Sequence, residues 1–394
     1  MNALGRAKVV AEYVTDLRHT IHQHAELSFK EYETTAIIVE ELKRLGLEVT
    51  TWRDFTGATG LLRGGHPGPT IALRADIDAL PIQEATGASY ASKNPGVMHA
   101  CAHDAHAAII LGVAKLLAEQ RSELKGNLKL IFQPAEELPP GGALELIKRG
   151  VLDDPRVDAM FACHHATEFP VGQIGIHYGG FMASADQFSL TVVCRGGGGS
   201  APHKGVDGIA VAAQIVTGLQ YMLTRQIDPV KPAVLSFGTL HAGARFNILA
   251  DRVEMTGTCR ALDADTAERF PDRILKVAQG IAATYDAQVE LKYERGYPTL
   301  ANDDKVTAIL EEAAKEAIGP SNVKVADPIM AGDDLAYFFR KVPGSYFWLG
   351  ISNPAKGIIH PAHTARFDID EEALPVAVAV MVQTVLKGFD HLPA

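Results

Sequence analysis

The chain has 394 residues, 47% of them hydrophobic and 21% charged, a length and balance suited to a globular protein of two domains. Its formal net charge of −10 opposes a nucleic-acid partner, which needs a basic face to neutralise phosphates. The N-terminal text MNALGRAKVVAEYV holds no apolar signal core, and no apolar run approaches the roughly 18 residues of a membrane span. Cys101, Cys163, Cys194 and Cys259 are too scattered for a disulfide framework, so a cytoplasmic protein without a membrane partner is the expectation.

In chain order, residues 30–45 carry apolar positions at helical spacing with charges between them. The runs 70–76, 127–133 and 157–163 are short, apolar and bounded by polar or turn residues, the text of buried strands. Between them 104–118 is rich in helix formers with one apolar face, so this part predicts an α/β layered domain. The middle changes character: strand 187–194, a glycine run at 196–199, helix 207–224, strands 234–241 and 252–260, helix 265–284 and strand 287–294. That βαββαβ order is the ferredoxin-like arrangement. Helix 304–317, strand 345–350 and helix 371–388 follow. The expected fold is α/β: a helix-covered, mostly parallel sheet built from residues 1–182 and 295–394, interrupted by a ferredoxin-like domain at 183–294.

The densest chemical signal is 98–106, Met-His-Ala-Cys-Ala-His-Asp-Ala-His. Cys101 and His103 stand at a loop-to-helix junction, and a thiolate beside an imidazole suits zinc, cobalt, nickel or manganese. By itself the segment also reads as a polar helix start with Asp104 near the first backbone donors. Glu136 and Glu137 follow an apolar strand directly; enclosed neighbouring carboxylates repel and lose hydration, and a cation compensates both costs. Such a pair also permits one carboxylate to hold metal while the other moves a proton, although a solvated acidic loop has the same text. His164 and His165 follow a third apolar strand, and His360 and His363 lie near the C-terminus. Any one of these is more often structural. Four such groups at strand or loop edges of one α/β domain converge on a metal site, because open α/β sheets bind ligands at the carboxyl ends of their strands. Metal activates water and polarises a carbonyl, and an uncoordinated glutamate can shuttle the proton, so the ligand types point to hydrolysis. There is no Gly-x-Ser-x-Gly elbow, and the 196–199 glycines precede Ser-Ala-Pro-His rather than the Lys-Ser/Thr pair of a phosphate loop.

Taken together, these residues resemble the aminoacylase and carboxypeptidase family of dinuclear metallohydrolases, in the branch of hippurate hydrolases, N-acyl-amino-acid amidohydrolases and indoleacetyl-amino-acid hydrolases. The matching text is His22-Gln-His-Ala-Glu-Leu-Ser-Phe29, Leu73-Arg-Ala-Asp-Ile-Asp-Ala-Leu-Pro81, Met98 to His106, Phe132-Gln-Pro-Ala-Glu-Glu137, Ala201-Pro-His-Lys-Gly-Val-Asp207, and His363 before Arg-Phe-Asp. The resemblance implies two divalent ions per subunit held by Cys101, His103, Glu137, His164 and His363. It implies Glu136 as general base and then acid, and Asp76 as the acid that orients a ligand. His164 is taken over His165 for its spacing to Pro170-Val-Gly172. The inserted domain resembles a lid that also mediates homo-oligomers, with Asn247, Arg260 and His203 near the substrate. The implied substrate is an N-acyl-L-amino acid; a dipeptidase or carboxypeptidase, and a metal-loaded binder without turnover, are the alternatives.

The chain departs from the family's text at three places. Gly198 stands where the family's lid histidine stabilises the oxyanion, a donor whose loss costs about two or three powers of ten in rate. Ala102 replaces the usual glycine beside the ligands, and Asp333-Asp334 replaces Glu-Asp.

Overall fold

The structure is a computed structural model that describes residues 2–393. The chain divides into two compact units, one of Met1–Gly179, Ala301–Asp327 and Tyr337–Ala394, the other of Gly180–Leu300 and Pro328–Ala336.

The first unit is built on an eight-stranded sheet. Its middle strands, Lys125–Gln133, His66–Asp76, Ala159–Pro170 and Gly344–Ser352, lie side by side and parallel. Their apolar text is buried without alternation, as expected where helices cover both faces of a sheet. The flanks are not parallel throughout. Ala58–Arg63 runs antiparallel to Lys125–Gln133, and Ile174–Ile176 runs antiparallel to Gly344–Ser352. These flanking pieces, with Glu48–Thr50 and Val323–Val325 at the two edges, are too short or too even in polarity to show a period.

Helix His103–Ala118 is buried along nearly its whole length and packs against helices Ala11–Gln23 and Ala373–His391. Gly112 makes that approach possible. A Cβ there would stand 2.5 Å from Val14 Cγ2 and 3.2 Å from Val378 Cγ2. Ala373–His391 is long and apolar enough by composition to cross a membrane, although Gln383, Lys387 and Asp390 interrupt its apolar run. Its Ala373–Val382 stretch is buried throughout, so here that composition makes an interior helix.

The second unit holds a four-stranded antiparallel sheet in the order Ala233–Ala242, Arg252–Ala261, Ala185–Val193, Gln288–Tyr297. Helices Gly208–Arg225 and Ala264–Thr284 complete the βαββαβ order. Alternate strand residues, among them Phe188, Leu190, Val192, Val253 and Met255, form one core with Val211, Ile215, Leu219, Phe270 and Ile274 of the two helices. Strand residues between them, such as Gln187, Ser189, Glu254 and Thr256, point the other way. The segment Pro328–Ala336, read from sequence with the metal-binding part, sits with this unit, and its edges lie at 180 and 300 rather than 183 and 294. The cause is backbone pairing that composition does not display: Ala183 N–H donates to Ile329 O at 3.1 Å and Ala331 O at 2.9 Å.

Gly112→Leu should destabilise the protein by about 1–3 kcal/mol, the usual cost of overpacking a closed helix contact. Urea unfolding measures this, and a wild-type midpoint would mean that the helices can separate without cost.

Candidate metal centre

The parallel strands of the first unit deliver the chemistry at their carboxyl ends. His66–Asp76 ends on Asp76 with Asp78 two residues on, Lys125–Gln133 runs into Glu136 and Glu137, and Ala159–Pro170 carries His164 and His165. Three turns that aim side chains here use left-handed backbone at residues other than glycine: Ala102 at φ 54°, Ala135 at φ 56° and His363 at φ 62°. Each such conformation costs about 1–2 kcal/mol, and it persists where surrounding contacts over-determine it. Ala102 therefore occupies a position that a glycine would fill without strain.

Cys101, His103, Glu136, Glu137, His164 and His363 come together. The ligating atoms of Cys101, His103 and His164 lie within 4.8 Å of one another, and the same holds for Cys101, Glu137 and His363 and for His103, Glu136 and Glu137. Cys101 Sγ is 3.5 Å from His164 Nε2, and His363 Nε2 is 3.2 Å from Glu137 Oε1. His103 Nδ1 lies 2.8 Å from the Asp78 carbonyl oxygen, while its buried Nε2 makes no hydrogen bond. Burial and the charges of Glu137 and Glu136 push the Cys101 thiol well above its ordinary range. Burial opposes charge on His103, yet Asp76 and Asp78 carry its pKa up to about 10. Burial and the neighbouring His106 hold His164 neutral, with a pKa well below the usual imidazole value. A soft thiol, imidazoles and carboxylates gathered around an orphaned ring nitrogen form a donor set that fits divalent metal.

Asp76 is otherwise engaged. Its carboxylate accepts from Arg74 Nη1 and meets His106 Nδ1, both at 2.6 Å, and stands 3.8 Å from His103 Nε2. The group that orients His103 is Asp78, whose Oδ1 is 3.2 Å from His103 Nδ1. Asp78 also accepts the Glu136 and Glu137 N–H groups at 3.0 Å each and the Ser28 hydroxyl at 2.7 Å. The sequence reading names the first acid of Asp76-Ile-Asp78 and passes over the second. His165 packs its ring 4.9 Å from Phe367, and its Nδ1 has no hydrogen bond.

Four singled-out positions belong to the second unit. His203 is exposed in the turn Pro202–Lys204, and Asn247 is exposed while its carbonyl accepts from Gly199 N–H at 2.9 Å. Arg260 is half-buried and donates from Nη1 to Met330 O at 3.0 Å. Gly198 pairs with Ile248, and a Cβ added to it meets nothing within 4 Å. Asp333 has a structural duty as well, accepting the Leu335 N–H at 2.8 Å.

Residues 72–387 match the model of peptidase family M20/M25/M40. Thermostable carboxypeptidase 1 of Saccharolobus solfataricus is 40% identical over 381 residues, 96% of each chain. N-acetylcysteine deacetylase of Bacillus subtilis is 40% identical over 379 residues, 94% of this chain and 97% of its own. The solved structure of Bacillus subtilis YXEP, described as a dinuclear metal-binding peptidase of the M20 family, superposes with a TM-score of 0.85 at 37% identity, covering 98% of this chain and 99% of its own. The chain belongs to the M20/M25/M40 peptidase family. It is a hydrolase of amide bonds.

Behind the donor set of this M20 chain lies a buried ionic knot that the sequence reading missed. Arg18 donates to Asp104 at 3.1 Å, Asp368 at 2.6 Å and Glu371 at 2.7 Å. His22 lies 2.8 Å from the same Asp104 oxygen and 3.3 Å from Glu84. One guanidinium thus ties the start of the His103 helix to the chain just beyond His363. The available signal is Arg18 itself, a cation within the buried stripe Val14, Leu17, Ile21 of its helix. Arg18→Met removes the buried guanidinium from Asp104, which keeps only His22, and from the part-exposed Asp368 and Glu371, and should cost about 2–3 kcal/mol of unfolding free energy. Unfolding at neutral pH reads it, and a loss below 1 kcal/mol would show that water enters to replace the arginine.

Proposed function

We propose that this chain is a metal-dependent amidohydrolase that removes the acyl group from N-acyl-L-amino acids. The observation that carries the reading is the adjacent pair Glu136 and Glu137, one buried and the other 3.2 Å from His363, inside a donor set that includes a thiol and two further imidazoles. We assign Cys101, His103, Glu137, His164 and His363 as the residues that hold two divalent ions, drawn from manganese, zinc, cobalt or nickel. When bound, such ions lower the pKa of water and polarise the amide carbonyl.

The remaining chemistry belongs to the chain's own groups. Glu136 removes a proton from the attacking water and returns it to the leaving amine nitrogen, so that one carboxylate acts as base and then as acid. Asp78 keeps His103 in one tautomer by engaging its Nδ1, which leaves Nε2 to face the donor set. In the second unit, Arg260 suits the substrate carboxylate through its planar fork, with Asn247 and His203 as further polar contacts. That unit is also the proposed surface for pairing with a second copy of the chain.

The carboxypeptidase relative favours a second substrate, a peptide cleaved at its C-terminal residue. A panel of N-acyl amino acids and dipeptides, assayed with metal-stripped protein and again after adding each ion, separates the two. Turnover confined to acyl conjugates supports the proposal, turnover of dipeptides alone replaces it, and no turnover from metal-loaded protein supports a binder. In the last case Gly198→His, which introduces a side chain into open space, should raise activity by about two powers of ten if a missing oxyanion donor is the cause. Glu136→Gln should lower kcat by at least about two powers of ten while metal content stays constant. Loss of metal instead would exchange the roles of Glu136 and Glu137.

A further inference from the structure

The loop that carries Glu136 and Glu137 is held from outside the donor set. Three successive N–H groups, those of Ala135, Glu136 and Glu137, point at two buried carboxylates. Asp78 takes the second and third. Glu31, fully buried at the start of helix Tyr32–Arg44, takes the first through Oε1 at 2.9 Å. The same oxygen accepts the Phe29 N–H at 2.9 Å, and the Thr56 hydroxyl donates to Oε2 at 2.6 Å. All three partners of Glu31 are donors: the ionised carboxylate serves them with its two oxygens, and an amide oxygen at the Oε1 position would still serve Ala135 and Phe29. Burial raises the Glu31 pKa, the Thr56 hydroxyl draws it back and Asp78 adds to the rise, leaving it at about 7.

Ala135 is the strained member of this loop, left-handed at φ 56° although it is not glycine. Its N–H would be lost to the interior without Glu31. The chain around it is closed by contact: a Cβ on Gly57 would sit 2.6 Å from Phe132 O, and one on Gly142 would sit 2.1 Å from Pro134 O. Packing therefore encloses the loop, while Glu31 is the side chain that engages the strained peptide directly.

We propose that Glu31 is a positioning residue, which fixes the left-handed turn at Ala135 and so sets where the Glu136 and Glu137 carboxylates point. The inference rests on the assignment of those two glutamates above. It also gives a duty to the text Glu26-Leu-Ser-Phe-Lys-Glu31: Ser28 secures Asp78, Phe29 shares the Glu31 oxygen, and Glu31 secures the loop.

The first readout is amide hydrogen exchange at residues 135–137 in metal-free protein. Glu31→Ala should speed it by about tenfold or more, the equivalent of one hydrogen bond to a charged group, whereas Glu31→Gln, which keeps an acceptor oxygen for Ala135, should stay near wild type. The second readout is cobalt(II) affinity and the visible spectrum of the cobalt-loaded protein. Glu31→Ala should weaken affinity about tenfold and shift the bands, and Glu31→Gln should restore both. Wild-type exchange in Glu31→Ala overturns the proposal. So does altered exchange with unaltered cobalt binding, because the clamp would then hold a loop without placing a ligand. If the wild-type chain binds no cobalt, the metal assignment fails, and exchange still judges the clamp. Should Glu31→Ala not fold, Glu31→Asp, one methylene too short to reach Ala135 and Thr56 together, carries the same expectations.

Discussion

The carboxylate of Asp78 sits where three stretches of chain meet. It engages the His103 ring, accepts the backbone of both Glu136 and Glu137, and takes the Ser28 hydroxyl. Donors approach a single buried anion from each side, and they draw its pKa down against the strong opposing effect of burial. The rest of the centre depends on this arrangement. Without the Asp78 side chain the Glu136 and Glu137 N–H groups would lack their acceptor, each at about 1–3 kcal/mol, and the Asp78 backbone oxygen alone would engage His103 Nδ1. The geometry of the donor set is therefore stored in the shell behind it.

That shell has an electrostatic cost which the fold meets in different ways at different depths. Near the strand ends Arg74 answers Asp76, and further back Arg18 answers Asp104, Asp368 and Glu371. Around Glu136 and Glu137 stand a thiol and imidazoles, one of which, His164, is held neutral. Carboxylates and a thiol enclosed at one point are stabilised when an inorganic cation adds its charge. The same reasoning explains the raised Cys101 thiol, since a thiolate beside two carboxylates needs a cation to form.

Much of this was legible in the text. Apolar runs of buried strand, the long helices and the βαββαβ order all stand where the periodicity puts them, because their burial is set by local pattern. Cys101, His103, Glu136, Glu137, His164 and His363 were legible for another reason: several such groups converge in one α/β domain, and the family resemblance selects among them. What escaped was held by long-range partners. Nothing local in Asp76-Ile-Asp78 tells which acid faces His103, since that depends on how the strand end meets the helix start. Arg18 shows only as a cation in an apolar stripe and Glu31 as a polar helix start, and the acids and backbone that each one meets lie far off in sequence. Pro328–Ala336 joins the second unit through backbone pairing with Ala183, a contact with no side-chain signature. Ile174–Ile176 and Val323–Val325 are three residues each, below the length at which a period exists.

The backbone strain follows the same division between pattern and partner. Ala102, Ala135 and His363 take left-handed turns at positions that glycine would occupy at no steric cost, yet each also confers rigidity that glycine would forfeit. At Ala135 the turn is fastened by Glu31, and at His363 the backbone N–H donates to Ala100 O at 2.8 Å, next to Cys101. At Ala102 the chain passes directly into the buried His103 helix, whose Ala105 and His106 N–H groups return to the Ala102 carbonyl. Each strained residue is thus a member of the donor set or next to one, and is anchored by a hydrogen bond of its own backbone. The cost of a few kcal/mol in backbone strain holds three donor groups at fixed separations before any ligand arrives, and such pre-organisation is what a site must have if binding is not to be spent on ordering the chain.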